Sequence, residues 1–184
     1  MEHGSPTEAV DLARALAGGV IGCDPFSSVY WNTYTVKART FWDIDHSGLD
    51  PRNRWSGFCL VNAPGADDAR GTKSLVRLAW ERTVDEWRRG SIDGALYVAY
   101  SLEQATQLQG SPAHLLQFPC VFPCERWNFW YRPAGGGPPV KGTSPTHGNL
   151  AALLPSRRDR GLAKQQMAVF CELAGKLGAL VRPL

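Results

Sequence analysis

Apolar and polar positions repeat along this chain with two periods, and the places where the period changes mark the predicted elements. "SPTEAVDLARALAGG", residues 5–19, carries apolar residues at helical spacing. Ser5 can cap this helix, Pro6 suits its first position, Glu8 completes the capping spacing, and Gly18-Gly19 end it. "VIGCDP" then predicts a short strand ending at Asp24-Pro25, and "SSVYWNTYTVKA" a helix rich in β-branched residues. "RTFWDID" reads as a strand ending in Asp43 and Asp45. After the turn-rich "HSGLDPRNRWSG" comes "FCLVNAPG", an apolar run bounded by Asn62, Pro64 and Gly65, which predicts a buried strand opening into a loop.

The second half repeats the alternation. "TKSLVRLAWERTVDEWRRG" predicts an amphipathic helix with Leu75, Leu78, Ala79, Arg82 and Trp87 on one side and Gly90 at its end. "GALYVAYS" is a strand, "LEQATQLQ" a short helix and "LLQFPCVFP" a further strand. "PAGGGPPVKGTSPTHG" predicts a long loop, with Gly135, Gly136 and Gly137 forming a flexible lid or linker rather than a phosphate cradle. "NLAALLP" is a strand, and "GLAKQQMAVFCELAGKLGAL" a closing helix that buries Leu162, Val169, Phe170, Leu173 and Leu177. Strands alternating with helices predict an α/β fold, a mostly parallel sheet with helices on both faces. Ligands bind such sheets at the carboxyl ends of the strands. Asp24, Asp43, Asp45 and Asn62 all fall there.

Composition narrows the picture modestly. A chain of 184 residues, 43% hydrophobic and 20% charged, fits one globular domain, with a loop at 133–147 and a basic segment plus helix at 157–184. No run reaches the ~18 apolar residues of a membrane span, and "MEHGSPTEAV" has no signal pattern, which predicts an intracellular, cytoplasmic protein without a membrane partner. A net charge of +3 permits nucleic-acid contact without demanding it. Cys120 and Cys124 have a spacing that some zinc sites use, but no second Cys or His pair accompanies them, so packing thiols are the stronger expectation. A Gly-x-Gly run is absent after Val20–Cys23, which removes the usual dinucleotide fingerprint.

The order of these segments resembles the phage-type DNA N-6-adenine-methyltransferases. That family has a Thr-Pro-containing helix start, then an apolar strand ending Asp-Pro-Ala-Ser. An aromatic strand, an Asp-Gly-Leu with a following Trp, and an Asn-Pro-Pro-Tyr strand end come next. Here "SPTEAVDLARALAGGVIGCDPFSS" is similar to the first two, "KARTFWDIDHSGLDPRNRWSG" to the middle pair, and "FCLVNAPG" stands where the catalytic motif belongs. "GALYVAYS", the Arg-x-x-Phe of "VFPCERWNFWY" and "SPTHGNLAALLP" are similar to later segments, so the likeness runs from Ser5 to Leu154.

The resemblance implies a Rossmann-related methyltransferase fold, S-adenosylmethionine (SAM) as cofactor and DNA as partner, in a bacterial host cell if the chain is phage-encoded. Pro6, Thr7, Asp24, Pro25, Asp43 and Asp45 would meet the cofactor. Asn62, Ala63 and Pro64 would act on an extruded base, the Asn62 oxygen and the Ala63 carbonyl accepting from its amine. Arg126, Trp127, Trp130, Arg132 and Lys141 would contact the nucleic acid. The motif departs from the family at two places: Ala63 replaces the first proline, and Gly65 replaces the aromatic that stacks on the base. Stacking is worth ~1–3 kcal/mol per base. Trp127 and Trp130 are the expected substitutes. Two alternatives stand beside plain methylation. One is an enzyme that modifies a different base or transfers a different group. The other is a fold without turnover that binds DNA or protein, including a second copy of itself. For Asn62, a turn-forming role remains open beside the catalytic one.

Overall fold

The computed structural model describes residues 3–43, 45–65, 74–110, 113–143 and 147–183. In chain order the strands are β1 (His3–Gly4), β2 (Cys23–Asp24), β3 (Thr40–Phe41), β4 (Phe58–Val61), β5 (Gly94–Ala99), β6 (Cys120–Pro123), β7 (Trp130–Tyr131), β8 (Val140–Lys141), β9 (Leu150–Leu154) and β10 (Gly178–Val181). The helices are α1 (Thr7–Leu16), α2 (Val29–Trp31), α3 (Leu75–Arg89), α4 (Leu102–Gln107) and α5 (Arg160–Leu177). A π-helical turn, Asn32–Val36, continues α2. The predicted helix start at Thr72-Lys73, Ile44 of the aromatic segment and residues 144–146 of the glycine–proline loop lie outside the described residues.

Seven strands form one sheet in the order β10-β6-β9-β5-β4-β2-β3. The half from β3 to β5 is parallel throughout. The other half is antiparallel, because β9 runs against both β5 and β6, and β10 against β6. The chain is therefore α/β with a mixed sheet. Every residue of β4, β5 and β9 is buried, which is why these strands read as unbroken apolar runs rather than alternating ones.

Helices cover both faces. On one, Ala9, Leu12, Ala13 and Leu16 of α1 and Phe170 and Ala174 of α5 pack with Leu60, Leu96, Val98, Ala151 and Leu153. On the other, Val76, Ala79, Trp80 and Val84 of α3 meet Cys59, Val61, Ala95, Tyr97 and Ala152. The buried stripe of α3 is rotated from the one expected. Val76, Ala79, Trp80, Thr83 and Val84 form its centre, while Leu75, Leu78, Arg82 and Trp87 sit half-buried at its margins. Trp80 sets this rotation: its ring packs against Tyr97 and Phe118 and its indole donates to the Ala113 carbonyl at 2.9 Å. No described helix is long and apolar enough to cross a membrane.

Two boundary expectations are corrected. The closing helix stops at Leu177, and Gly178–Val181 becomes the edge strand β10. Gly178 allows this, since a Cβ there would lie 2.6 Å from the Pro123 Cα. The glycine–proline segment, expected to be a loose loop, contains β8. With β1 and β7 it forms a small three-stranded sheet, β1-β7-β8, antiparallel throughout. Gly137 is held there, its carbonyl accepting from the Tyr30 hydroxyl at 2.8 Å, so this segment is a docked hairpin rather than a free linker.

Candidate functional site

The chain leaves β2 for β3 on one side, then returns to the other side of β2 to form β4. In an open α/β sheet the crevice outside the carboxyl ends of two such strands is where ligands bind. Those ends carry Asp24-Pro25 on β2 and Asn62-Ala63-Pro64 on β4. Cys23 is level with Cys59 in this parallel pair. Asp24 lies one residue and Asn62 three residues beyond that level, so strand spacing and rise put their Cα atoms about 8 Å apart. The two segments singled out in the sequence therefore meet at one crevice.

The acid end is sealed. Asp24 is only 2% exposed, and burial pushes its carboxyl up to about 7. The Phe26 N–H, 3.2 Å from Oδ1, favours the charged form, as does the nearby Ser27 hydroxyl, though Ser27 Oγ makes no full hydrogen bond. Among the described residues Asp24 pairs with no cation in any ion pair. Gly48 presses directly on the Pro25 carbonyl, a contact that leaves no room for a side chain. Trp55, also 2% exposed, donates its indole N–H to the Gly48 carbonyl at 3.0 Å and meets Phe26 edge-on. Arg82 lies over the Trp55 ring at 5.6 Å and pairs with Glu86 at 2.7 Å, tying this lid to α3. Ser27 Oγ, near the Asp24 carboxyl, and Trp42 Nε1, just past β3, are buried with no hydrogen-bond partner among the described residues.

Asp43 and Asp45 lie just past β3 on the same edge, but they differ from expectation. Asp43 spends Oδ1 on its own turn, accepting from the backbone N–H groups of Asp45 and His46 and meeting the His46 ring at 3.1 Å. These contacts hold its carboxyl below the usual range. Asp45 is exposed.

The amide end is open. Asn62 is half-buried, Ala63 buried, and Pro64 and Gly65 exposed. Asn62 Nδ2 donates to Ser5 Oγ at 3.0 Å. This corrects the expected capping box: the cap position falls on Pro6 with no side-chain cap bond, because the Ser5 hydroxyl is engaged by Asn62. Glu8 reaches Lys141 at 3.2 Å instead of the helix start. With its nitrogen committed to Ser5, the group Asn62 offers to a substrate amine is its oxygen, an acceptor. Tyr100, just past β5, stands beside Gly65: a Cβ at position 65 would lie 2.5 Å from Tyr100 Cζ and 2.8 Å from Cε1.

A cleft of about 230 Å³ opens from Ser5 and Thr7 along the groove between α1 and the π-helical turn, reaching Arg14, Tyr34 and Lys37. Trp130 forms part of its wall and donates to Thr7 Oγ1 at 3.2 Å. The cleft touches the amide end through Ser5 and does not include Asp24. Lys141 and Arg132 flank it from the hairpin, Lys141 paired with Glu8 and Arg132 stacked on Tyr30 at 4.7 Å. Arg126 is exposed. Trp127 is not available as expected: at 3% exposure it belongs to the core, and its backbone N–H donates to Asn149 Oδ1 at 2.8 Å. Cys120 is buried, its thiol pushed up to about 12 and donating to the Phe118 carbonyl at 3.2 Å, while Cys124 is exposed. Among the described residues no three His, Cys, Asp or Glu side chains gather as a metal site.

No family model, curated protein or solved structure matches the chain. Two residues of the site escaped the sequence reading. Ser5 looked like a helix cap, and only the pairing of residues 57 positions apart reveals its partner. Tyr100 looked like one more apolar strand residue. The signal that could have pointed to it is the glycine at 65, where a Cβ would meet the Tyr100 ring.

Proposed function

We propose that this chain is a methyltransferase-like protein that binds SAM and acts on an amino group of a DNA base. The observation that carries the reading is the meeting, at one strand-order switch point, of three segments that the family resemblance names. These are the helix start with Ser5, the Asp24-Pro25 turn, and the Asn62 strand end, with Ser5 bonded to Asn62.

The acid end fits a cationic, hydroxyl-bearing cosubstrate in chemistry. A buried carboxylate without a cation and an orphaned hydroxyl on Ser27 together want a charge and hydrogen-bond partners. SAM supplies the transferable methyl group and a positive charge, with ribose hydroxyls besides. Its space is tighter than its chemistry. The open cleft of about 230 Å³ is below the ~300–1,000 Å³ of ordinary ligand pockets and does not reach the buried Asp24, so binding requires the acid end to open. Asp24 would then hold the donor from β2, while Ser5 fixes the plane of the Asn62 amide. The Asn62 oxygen and the Ala63 carbonyl accept from the amine and orient its lone pair. Lys141, Arg132 and Arg126 meet the phosphates.

Calorimetry with SAM tests the cofactor half. Binding is expected for the full chain, weakened at least tenfold by Asp24→Ala. Labelled SAM and DNA test the rest, with transfer lost in Asn62→Ala. Absence of both binding and transfer overturns the reading. A second reading, DNA binding without turnover, is favoured by Ala63 and Gly65 in the catalytic stretch; salt-sensitive DNA retention without SAM binding would select it.

A further inference from the structure

We infer that Tyr100 is the ring on which the target base stacks beside Asn62, and that position 65 is glycine because this ring occupies the space a side chain there would need. The inference rests on the reading above and names a binding residue for it. Val61 is level with Tyr97 in the β4–β5 pair, and continuing that register sets Tyr100 level with Pro64. The two strand ends therefore rise side by side, with the exposed Pro64-Gly65 turn against the half-buried tyrosine. Any residue but glycine at 65 would collide with the ring carbons.

The backbone that carries the ring is anchored. The Tyr100 carbonyl accepts from Asn149 Nδ2 at 3.0 Å, and the other end of that amide takes the Trp127 backbone N–H at 2.8 Å. Asn149 is buried, and its bond to Trp127 is shielded from water. The His147 ring meets Tyr100 edge-on, centroids 6.4 Å apart. Of the other aromatics on this side, Trp130 lines the cleft beyond Ser5 and donates to Thr7. Tyr97 is fully buried with its hydroxyl on the Val76 carbonyl, and Trp127 is core. An aromatic surface next to an amide acceptor is complementary to a planar heterocycle that carries an amino group. The preferred ligand class is thus an unpaired adenine or cytosine base, stacked on Tyr100 and hydrogen-bonded at Asn62.

The test compares two labelled single strands by fluorescence anisotropy, oligo(dA) and the same length of abasic backbone. The full chain should prefer oligo(dA), and Tyr100→Phe should keep that preference. Tyr100→Leu, which keeps bulk but has no π face, should lose about tenfold on oligo(dA) and nothing on the abasic strand. Gly65→Ala should lose a similar factor by displacing the ring. If Tyr100→Leu retains the wild-type preference with an unchanged melting curve, the role of Tyr100 is overturned while the base-binding reading survives. If the wild-type chain does not distinguish the two strands, the base-binding reading fails and Tyr100 falls with it.

Discussion

The two strand ends that meet at the switch point are opposites. On β2, Asp24 is shut away from water, and Gly48, held by Trp55, packs against the carbonyl of the neighbouring Pro25. One strand over, Asn62 is half-buried beside an exposed turn and takes its anchor from Ser5. The difference follows from what covers each. Gly48, between β3 and β4, rests on the Pro25 carbonyl beside the acid, whereas nothing among the described residues folds over Pro64 and Gly65. An enclosed acid reports on its surroundings through its proton affinity; an open amide reports through what it can bind.

Removing the lid should have the largest effect. Trp55→Ala deletes a fully packed indole, strands the Gly48 carbonyl and unstacks Arg82, and is expected to cost about 3–5 kcal/mol in urea denaturation. A loss below ~1 kcal/mol would mean that the acid end is not sealed as described.

Titrating the acid itself comes next. The folded pKa of about 7 lies above the unfolded value of 3.8. The folded chain therefore holds the extra proton between roughly pH 4 and 7, and this contribution to stability is full below pH 4 and lost as pH rises through 7. Asp24→Asn should flatten that slope. It should match wild type at pH 4 and be the more stable protein at pH 8, by at most about 4 kcal/mol. A parallel pair of pH–stability curves would refute the assignment.

The smallest expected effect is at the open end. Ser5→Ala removes one hydrogen bond to a half-buried amide, about 1 kcal/mol of stability. On the proposed methyl transfer the effect should be larger, because the amide plane is then free to turn. A Ser5→Ala variant with full turnover would show that the anchor does not serve the site.

Much of this architecture is legible in the sequence, and the limits are physical. β4, β5 and β9 declare themselves as apolar runs, and α1 and α3 by their spacing. The direction of β9 does not, since a strand buried on both faces reads alike in either orientation. Hairpin β7–β8 was hidden because its strands are two residues each and its turn is rich in Gly and Pro. The site divides in the same way. Asp24 and Asn62 stand at strand ends and could be picked out as such. The Gly48–Trp55 lid beside Asp24, the Ser5 anchor and the Tyr100 ring depend on contacts between distant segments, which no local pattern carries. Trp127 illustrates the reverse error: an aromatic beside an arginine looked like a contact surface, yet it fills the core.

The position of β9 has a bearing on how the chain comes to be folded. It lies between β5 and β6 in the sheet yet follows both in sequence. Until Leu150–Leu154 has left the ribosome, β5 and β6 have no bridge, and each presents an unpaired apolar edge. Synthesis therefore passes through a stage in which some 150 residues exist and the sheet is still in two pieces. Fragments ending before Asn149 should aggregate, and those ending after Leu154 should begin to resist proteolysis.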